Sequence, residues 1–289
     1  LYVDDEPACA AAAAALGMAA HRFATSADLE ACLRWEALDN PGVRTPPSEV
    51  FFAPFIGRTV NTAAGPQTFP SDGDIPDDYD MWQPRLGVSW VPDAAGKSVV
   101  RATAGIYHAR LPALNLASTR STNGSLGQTL FRNSALVDVL GPPPAYTQLL
   151  QGGEVFFPDV FVYDKDWQTP RTIATSLSYE REVWSDTAAL LKLNYAKTDH
   201  ITRFTNRNDP RLGSPWSSGL PPDGINGLTT LTTVESTAKS RYRGITLGLD
   251  KRLTGSFAYQ VYYTWSKDES DDDNERDPFT FRYADITQL

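Results

Sequence analysis

Residues 241–266, RYRGITLGLDKRLTGSFAYQVYYTWS, are two alternating segments joined by a short polar stretch, and one row of the alternation is apolar and aromatic throughout. In the second segment Phe257, Tyr259, Val261, Tyr263 and Trp265 share one face, with Ala258, Gln260, Tyr262, Thr264 and Ser266 on the other, because successive side chains of a strand point to opposite faces. In the first, Ile245, Leu247 and Leu249 oppose Thr246, Gly248 and Asp250. Such a row needs an apolar cover. The buried row of a soluble sandwich is mostly aliphatic, whereas rings at strand ends suit the interfacial belts of a barrel that spans a membrane. Lys251, Arg252, Thr254 and Gly255 supply the expected turn, with a glycine for a positive backbone dihedral.

At 289 residues, with 41% apolar and 21% charged side chains, the chain has the composition of a folded protein of one large or two ordinary domains. No run approaches the roughly 18 apolar residues of a membrane helix. Residues 8–16 are short and alanine-rich. A barrel is then the only way to span, since its backbone groups pair between strands and each strand needs only about ten residues of weak alternation.

A net charge of −9 argues against nucleic acid as a partner, because a phosphate backbone is held by clustered Lys and Arg. The acids gather in two stretches of loop composition, Asp72–Asp80 and Asp268–Asp277. They read first as solvated loops. The sharper reading is divalent-cation binding, but the spacing lacks the glycine and terminal glutamate of an EF-hand loop. Cys9 and Cys32 form no CxxC pair, and His21, His108 and His200 stand far apart in sequence. With no nucleophile elbow, phosphate loop or zinc motif, the sequence nominates no catalytic, cofactor-binding or metal-binding residue, and it predicts no enzyme.

Two further hairpins follow the same plan. Ile173, Thr175, Leu177 and Tyr179 alternate with Ala174, Ser176, Ser178 and Glu180; after a turn around 184–186, Ala189, Leu191, Leu193 and Tyr195 alternate with Leu190, Lys192, Asn194 and Ala196. Leu86, Val88 and Trp90 lead to a turn at 92–97, and Val100, Ala102, Ala104 and Ile106 return opposite Arg101, Thr103, Gly105 and Tyr107. A strand over 29–37 brings the expected number to about seven, which is odd, whereas bacterial single-chain barrels close with an even number. The turns inside hairpins are short, and the segments between hairpins, 109–171 and 199–240, are long and rich in Pro, Gly, Asn and Ser. That asymmetry is the barrel pattern of short periplasmic turns and long external loops. The fold class predicted is all-β, an incomplete antiparallel transmembrane barrel with long loops and a short α/β-like N-terminal segment.

The phrases LRWEALDNP (33–41), QPRLGVSW (83–90), GKSVVRATAGIYHAR (96–110) and YRGITLGLDKRLTGSFAYQVYYTWSKD (242–268) resemble the barrel portion of TonB-dependent outer-membrane receptors, specifically the Oar-like group. The resemblance implies a bacterial outer-membrane location and energy-coupled uptake of a ligand too large for porins. It implies lipid as a partner, the TonB system acting through a plug domain supplied outside this chain, and an unknown ligand at the external loops. In this reading residues 29–289 are a partial barrel within a longer protein. Arg101, Lys192, Asn194 and Asp250 face the lumen, and Arg120, Asn123, Trp216 and Asn226 are loop residues able to meet a ligand.

Residues 1–28 read differently. LYVDDEPACAAAAAALGMAAHRFATSAD resembles the start of a response-regulator receiver domain, with a short strand, the acidic pair Asp4 and Asp5, a helix and a second strand at 21–24. The aspartate that accepts phosphate in that family has no counterpart, since Glu49–Phe52 contains no Asp. A fused segment and a plain helix-forming start both remain open. The alternatives for function are a degenerate receiver fusion in signalling and a secreted β-sandwich adhesin or carbohydrate binder.

Overall fold

The computed structural model describes residues 2–3, 20–21, 27–62, 64–111, 113–121, 123, 125, 159–217, 227–254 and 256–271. Two short strands come first, β1 (Tyr2–Val3) and β2 (Ala20–His21), paired parallel, with β1 beside the third. They are followed by β3 (Ala27–Leu38), the small hairpin β4 (Thr59–Thr62) and β5 (Gly65–Thr68), β6 (Asp78–Trp90), β7 (Ser98–His108) and helix α1 (Ala113–Ser121). Then come β8 (Val160–Tyr163), β9 (Arg171–Trp184), β10 (Thr187–Asn206), β11 (Leu231–Thr254) and β12 (Phe257–Ser270). Asp4, Asp5 and the helix expected after them lie outside the described residues.

Seven of these strands form one antiparallel sheet in the order β3-β6-β7-β9-β10-β11-β12, the number and sequence order expected. Its first and last strands run in the same direction, as an odd antiparallel set must, so the wall is an incomplete barrel. The connections at 91–97, 185–186 and 255–256 lie at one rim, and those at 39–77, 109–170 and 207–230 at the other. The two-residue turn after Trp184 is closed by Asp186 at φ 60°, whose carbonyl accepts from the Arg252 backbone N–H at 2.9 Å. Asp is one of the few residues that adopts this dihedral readily.

The last turn is shorter than expected. Lys251 pairs with Tyr259 in the ladder and β11 continues through Arg252 to Thr254. Polar residues join the ladder here because the hydrogen bonds belong to the backbone, and the Lys251 ammonium reaches over the Phe257 ring, 5.3 Å from its centroid. Gly255 lies outside the described residues.

Register makes every row consistent across the sheet, since residues directly opposite share a face. Leu29, Val88, Ala102, Leu177, Leu193, Ile245 and Trp265 lie on one register line of the apolar face, and Arg101, Ser178, Lys192, Thr246 and Thr264 on a line of the polar face. The apolar row is the exposed one. Trp265 and Tyr263 are 68% exposed and Leu247 54%, whereas Gln83 on the polar side is 2% exposed. A soluble sheet has the opposite arrangement, and a patch this large is not left bare in water. Trp35 and Trp82 sit together on it near the long-connection rim, ring centroids 6.2 Å apart, with the Trp35 indole N–H donating to the Tyr79 carbonyl at 2.9 Å. This is the interfacial use of an indole, ring in lipid and N–H satisfied.

Glycine has a packing role on the polar face. Gly248 stands opposite Tyr262, and a Cβ added to it would lie 2.5 Å from that ring. Gly244 is covered in the same way by the Tyr242 side chain.

The long connections do not form solvated loops throughout. β10 and β11 continue past the wall after register shifts around Ile201, where His200 takes φ 63°, and β8 adds parallel to β11 with Val160 opposite Leu231. Two buried cores form on this extension. One contains Phe52, Phe55, Phe69, Val160, Trp216 and Leu231; the other contains Ile75, Tyr163, Trp167, Phe204 and Val234. Trp216 is fully buried, with edge-on contacts to Phe55 and Phe69 at 5.9 and 5.3 Å between centroids. Asn208 ties the connection together: its Oδ1 accepts from the Trp216 N–H at 2.7 Å, and its Nδ2 donates to the Leu228 carbonyl at 2.7 Å.

Truncating Trp216 to Ala should destabilise this loop-side unit by about 3–5 kcal/mol. Hydrogen exchange in detergent micelles should show faster exchange in β8 and in the outer part of β11, while the β9–β10 wall amides keep their protection. Burial pushes the Asp164 carboxyl up, outweighing the Asp166 N–H that it accepts. A carboxyl raised in the folded state favours folding at low pH, and that contribution is lost as pH rises through its folded pKa. Asp164→Asn keeps the acceptor and should therefore raise the thermal midpoint of the loop-side unit at neutral pH and flatten its loss between acid and neutral. An unchanged pH profile would refute this account.

Candidate functional site

The polar face of the wall carries the residues with chemistry. Arg101 reaches diagonally to Glu180, with Nη1 to Oε2 at 3.1 Å, and Thr103 and Ser176 share a hydrogen bond at 2.7 Å. Lys192 stands between Ser178 and Thr246, and Asn194 between Ser176 and Gly244. Lower on the same face Asp250 accepts from Gln260 Nε2 at 2.6 Å and from the Tyr262 hydroxyl at 3.4 Å. The structure thus brings Arg101, Lys192, Asn194 and Asp250 onto one face, as expected. Toward the short-turn rim a cavity of about 450 Å³ is lined by Lys97, Arg101, Glu180, Glu182, Asp250 and Arg252. Both signs are interleaved there, which suits a hydrated path without a strong preference for one charge.

Nearer the long-connection rim the face is a chain of charge-assisted bonds. Arg34 pairs with Glu36, which accepts from Gln83 Nε2 at 2.6 Å, and Gln83 in turn accepts from Arg85 at 3.2 Å. The Arg85 guanidinium lies over the Tyr107 ring, 4.5 Å from its centroid. The half-buried Cys32 lies on this face, opposite Arg85.

The loop residues behave differently from expectation. Trp216 is a core residue of the loop-side unit and presents no surface to a ligand. Asn123 is buried, its Oδ1 accepting from the Ser125 N–H at 3.0 Å. Arg120 is half-buried in the last turn of α1, and Asn226 lies outside the described residues. The first acidic stretch serves the backbone. Asp77 accepts from the Asn40 N–H at 2.7 Å, and Asp78 accepts from the Thr169 and Asp80 N–H groups at 2.9 and 3.1 Å. Burial alone would raise the Asp78 carboxyl, but these donors outweigh it and hold it below the usual range. Of the second stretch the structure describes residues 268–271, where Asp271 pairs with the buried Arg203 at 2.9 Å. Among the described residues no three His, Cys, Asp or Glu side chains stand close enough to hold a metal ion.

Sequence reasoning missed the loop-side polar centre. Glu235, 2% exposed, accepts from Arg207 Nε at 2.6 Å and from the Thr205 hydroxyl. Periodicity carried no signal for it, because both faces of the strand are buried at this height.

Comparison with known proteins places the fold. A family model described as an outer membrane beta barrel domain matches residues 25–288. No curated protein matches the chain. Among solved structures, the outer membrane transporter YddB from Escherichia coli is similar at 12% identity and TM-score 0.45, covering 68% of this chain and 21% of that one. The FrpB iron transporter from Neisseria meningitidis is similar at 12% identity and TM-score 0.43, covering 86% and 24%. The siderophore receptor PirA from Pseudomonas aeruginosa is similar at 14% identity and TM-score 0.37, covering 68% and 30%. The chain therefore spans less than a third of each of these structures. With an exposed apolar wall on one side, a polar face on the other and a family match over most of its length, the chain belongs to the outer membrane beta barrel domain family and is located in the bacterial outer membrane.

Proposed function

We propose that this chain is the wall portion of a TonB-dependent outer-membrane receptor of the Oar-like group, which takes up a ligand too large for passive pores. In this reading residues 29–289 are barrel wall and external surface, and residues 1–28 are a separate segment. Coupling to TonB runs through a plug domain encoded outside this chain. The chain performs no covalent chemistry; its polar face lines the route and its long connections meet the ligand. The observation that carries the reading is the loop-side unit: the long connections build two buried cores above the wall. A passive pore has no need of such a structure, whereas a receptor gains affinity from a surface organised before the ligand arrives.

The test uses the complete reading frame that contains this chain. Cells lacking it should lose energy-dependent uptake of one solute among iron chelates, cobalamin, oligosaccharides and large peptides, and collapsing the proton gradient in wild-type cells should produce the same loss. If deletion changes no uptake, or if the lost uptake survives the uncoupler, active transport is the wrong function. The wall itself is checked separately: the purified chain should require detergent and partition into phosphatidylcholine vesicles.

A further inference from the structure

The apolar face changes chemistry abruptly near the long-connection rim. Leu193, Ile245 and Trp265 stand side by side on β10, β11 and β12. The next outward-facing rung is Tyr195, Arg243 and Lys267, and the one after it is Lys197, Arg241 and Glu269. Arg243 is thus directly opposite Lys267, and Lys197 is directly opposite Arg241. Like charges placed directly opposite on a sheet destabilise it. The backbone ladder does not require them, and the protein as a whole has a net charge of −9.

The carboxylates of this patch do not balance it. Lys197 Nζ lies 2.9 Å from Asp199 Oδ2 and Lys267 Nζ 2.5 Å from Glu269 Oε1, so two acids stand among four cations. Arg241 and Arg243 are exposed, and the Lys267 side chain is 68% exposed. At the opposite rim the cations of the same face are separated by neutral residues: Lys251 stands between Thr187 and Tyr259, and Arg181 between Ser98 and Ala189. General snorkelling of long basic side chains would treat the two rims alike. The doubled cations occur at one rim, immediately beyond Tyr195 and Trp265, at the height where an aromatic belt meets lipid headgroups.

We propose that Lys197, Arg241, Arg243 and Lys267 form a docking patch for the phosphate-bearing headgroup of a lipid in the leaflet on the long-connection side, which in this family faces outward. Arginine forks match phosphate oxygens in bidentate fashion, and each bound phosphate relieves the repulsion across its rung. The acyl chains lie along the apolar rows around Leu247 and Val261, so one lipid satisfies both chemistries of the face. Asp199 and Glu269 hold the lysines upright and limit how far the bare patch repels itself.

The complete protein that contains this chain, folded into phosphatidylcholine vesicles containing either lipid A or enzymatically dephosphorylated lipid A, is re-extracted and the retained lipid is quantified by mass spectrometry. Wild-type protein should retain the phosphorylated form and release the dephosphorylated one, and retention should fall as salt rises. Each cation is expected to contribute about fivefold in affinity, so R241Q/R243Q should weaken retention roughly 25-fold. R181Q/K251Q at the other rim should leave it unchanged. In pure phosphatidylcholine R241Q/R243Q should be at least as thermally stable as wild type, because repulsion is relieved; a merely structural patch would lose stability there. K267Q alone, on an exposed position, serves if the double variant does not fold, with an expected loss of about fivefold. Equal retention of the two lipid A forms by the wild type, or wild-type retention by the variants, would overturn the proposal.

Discussion

The antiparallel backbone ladder is the constraint from which the rest of this structure follows. In a bilayer no water is available to an unpaired N–H or C=O, so a strand is stable there only when both of its edges are bonded. Once the ladder is formed its register is fixed, and with a side-chain period of two every residue is assigned a face. A slip of one residue between β10 and β11 would turn Lys192 and Asn194 outward into lipid and Leu191 and Leu193 inward. The ladder therefore selects the register in which lipid meets Leu193, Ile245 and Trp265 while Asn194, Gly244 and Ser266 line the other side.

The same ladder builds the loop-side unit. β10 and β11 do not end where the apolar rows end. The register shifts around Ile201 and the positive dihedral of His200 turn the pair as it leaves the wall, and beyond them both faces are covered. Thr202, Arg203, Thr205, Thr232, Thr233 and Glu235 are all buried there. The charged side chains there are paired, Arg203 with Asp271 and Glu235 with Arg207 and the Thr205 hydroxyl, which is what allows them to be buried. Wall and external surface are thus one continuous hairpin in two surroundings, which gives the outer unit a rigid base.

Much of the wall was legible in the sequence. The number of strands, the two rows of each hairpin and the common face of Arg101, Lys192, Asn194 and Asp250 all follow from alternation, because lipid on one side and water on the other impose opposite demands on adjacent residues. The loop-side unit was not legible. Residues 201–205 and 231–235 mix Thr, Arg and Glu with Ile, Phe, Leu and Val without a period, and the composition of 207–217 is that of a turn. Trp216 reads as a loop aromatic until Phe55, Phe69 and Leu231, distant in sequence, close around it. The acidic stretch running into β6 read first as a solvated loop, and its part in tying down the backbone was not legible, since the N–H groups that Asp77 and Asp78 accept from include those of Asn40 and Thr169, far away in sequence.

By itself the sequence determined which residues share a face and which rim carries the long connections, because those properties depend only on the strand period and on where the alternation is interrupted. The tertiary structure decided which residues stand opposite one another. That choice sets Arg243 against Lys267 and Tyr262 over Gly248, and it gathers described residues of the long connections, Phe55, Phe69 and Trp216 among them, into a buried core. Register and long-range packing join residues tens to hundreds of positions apart, and no local pattern encodes the distance between them.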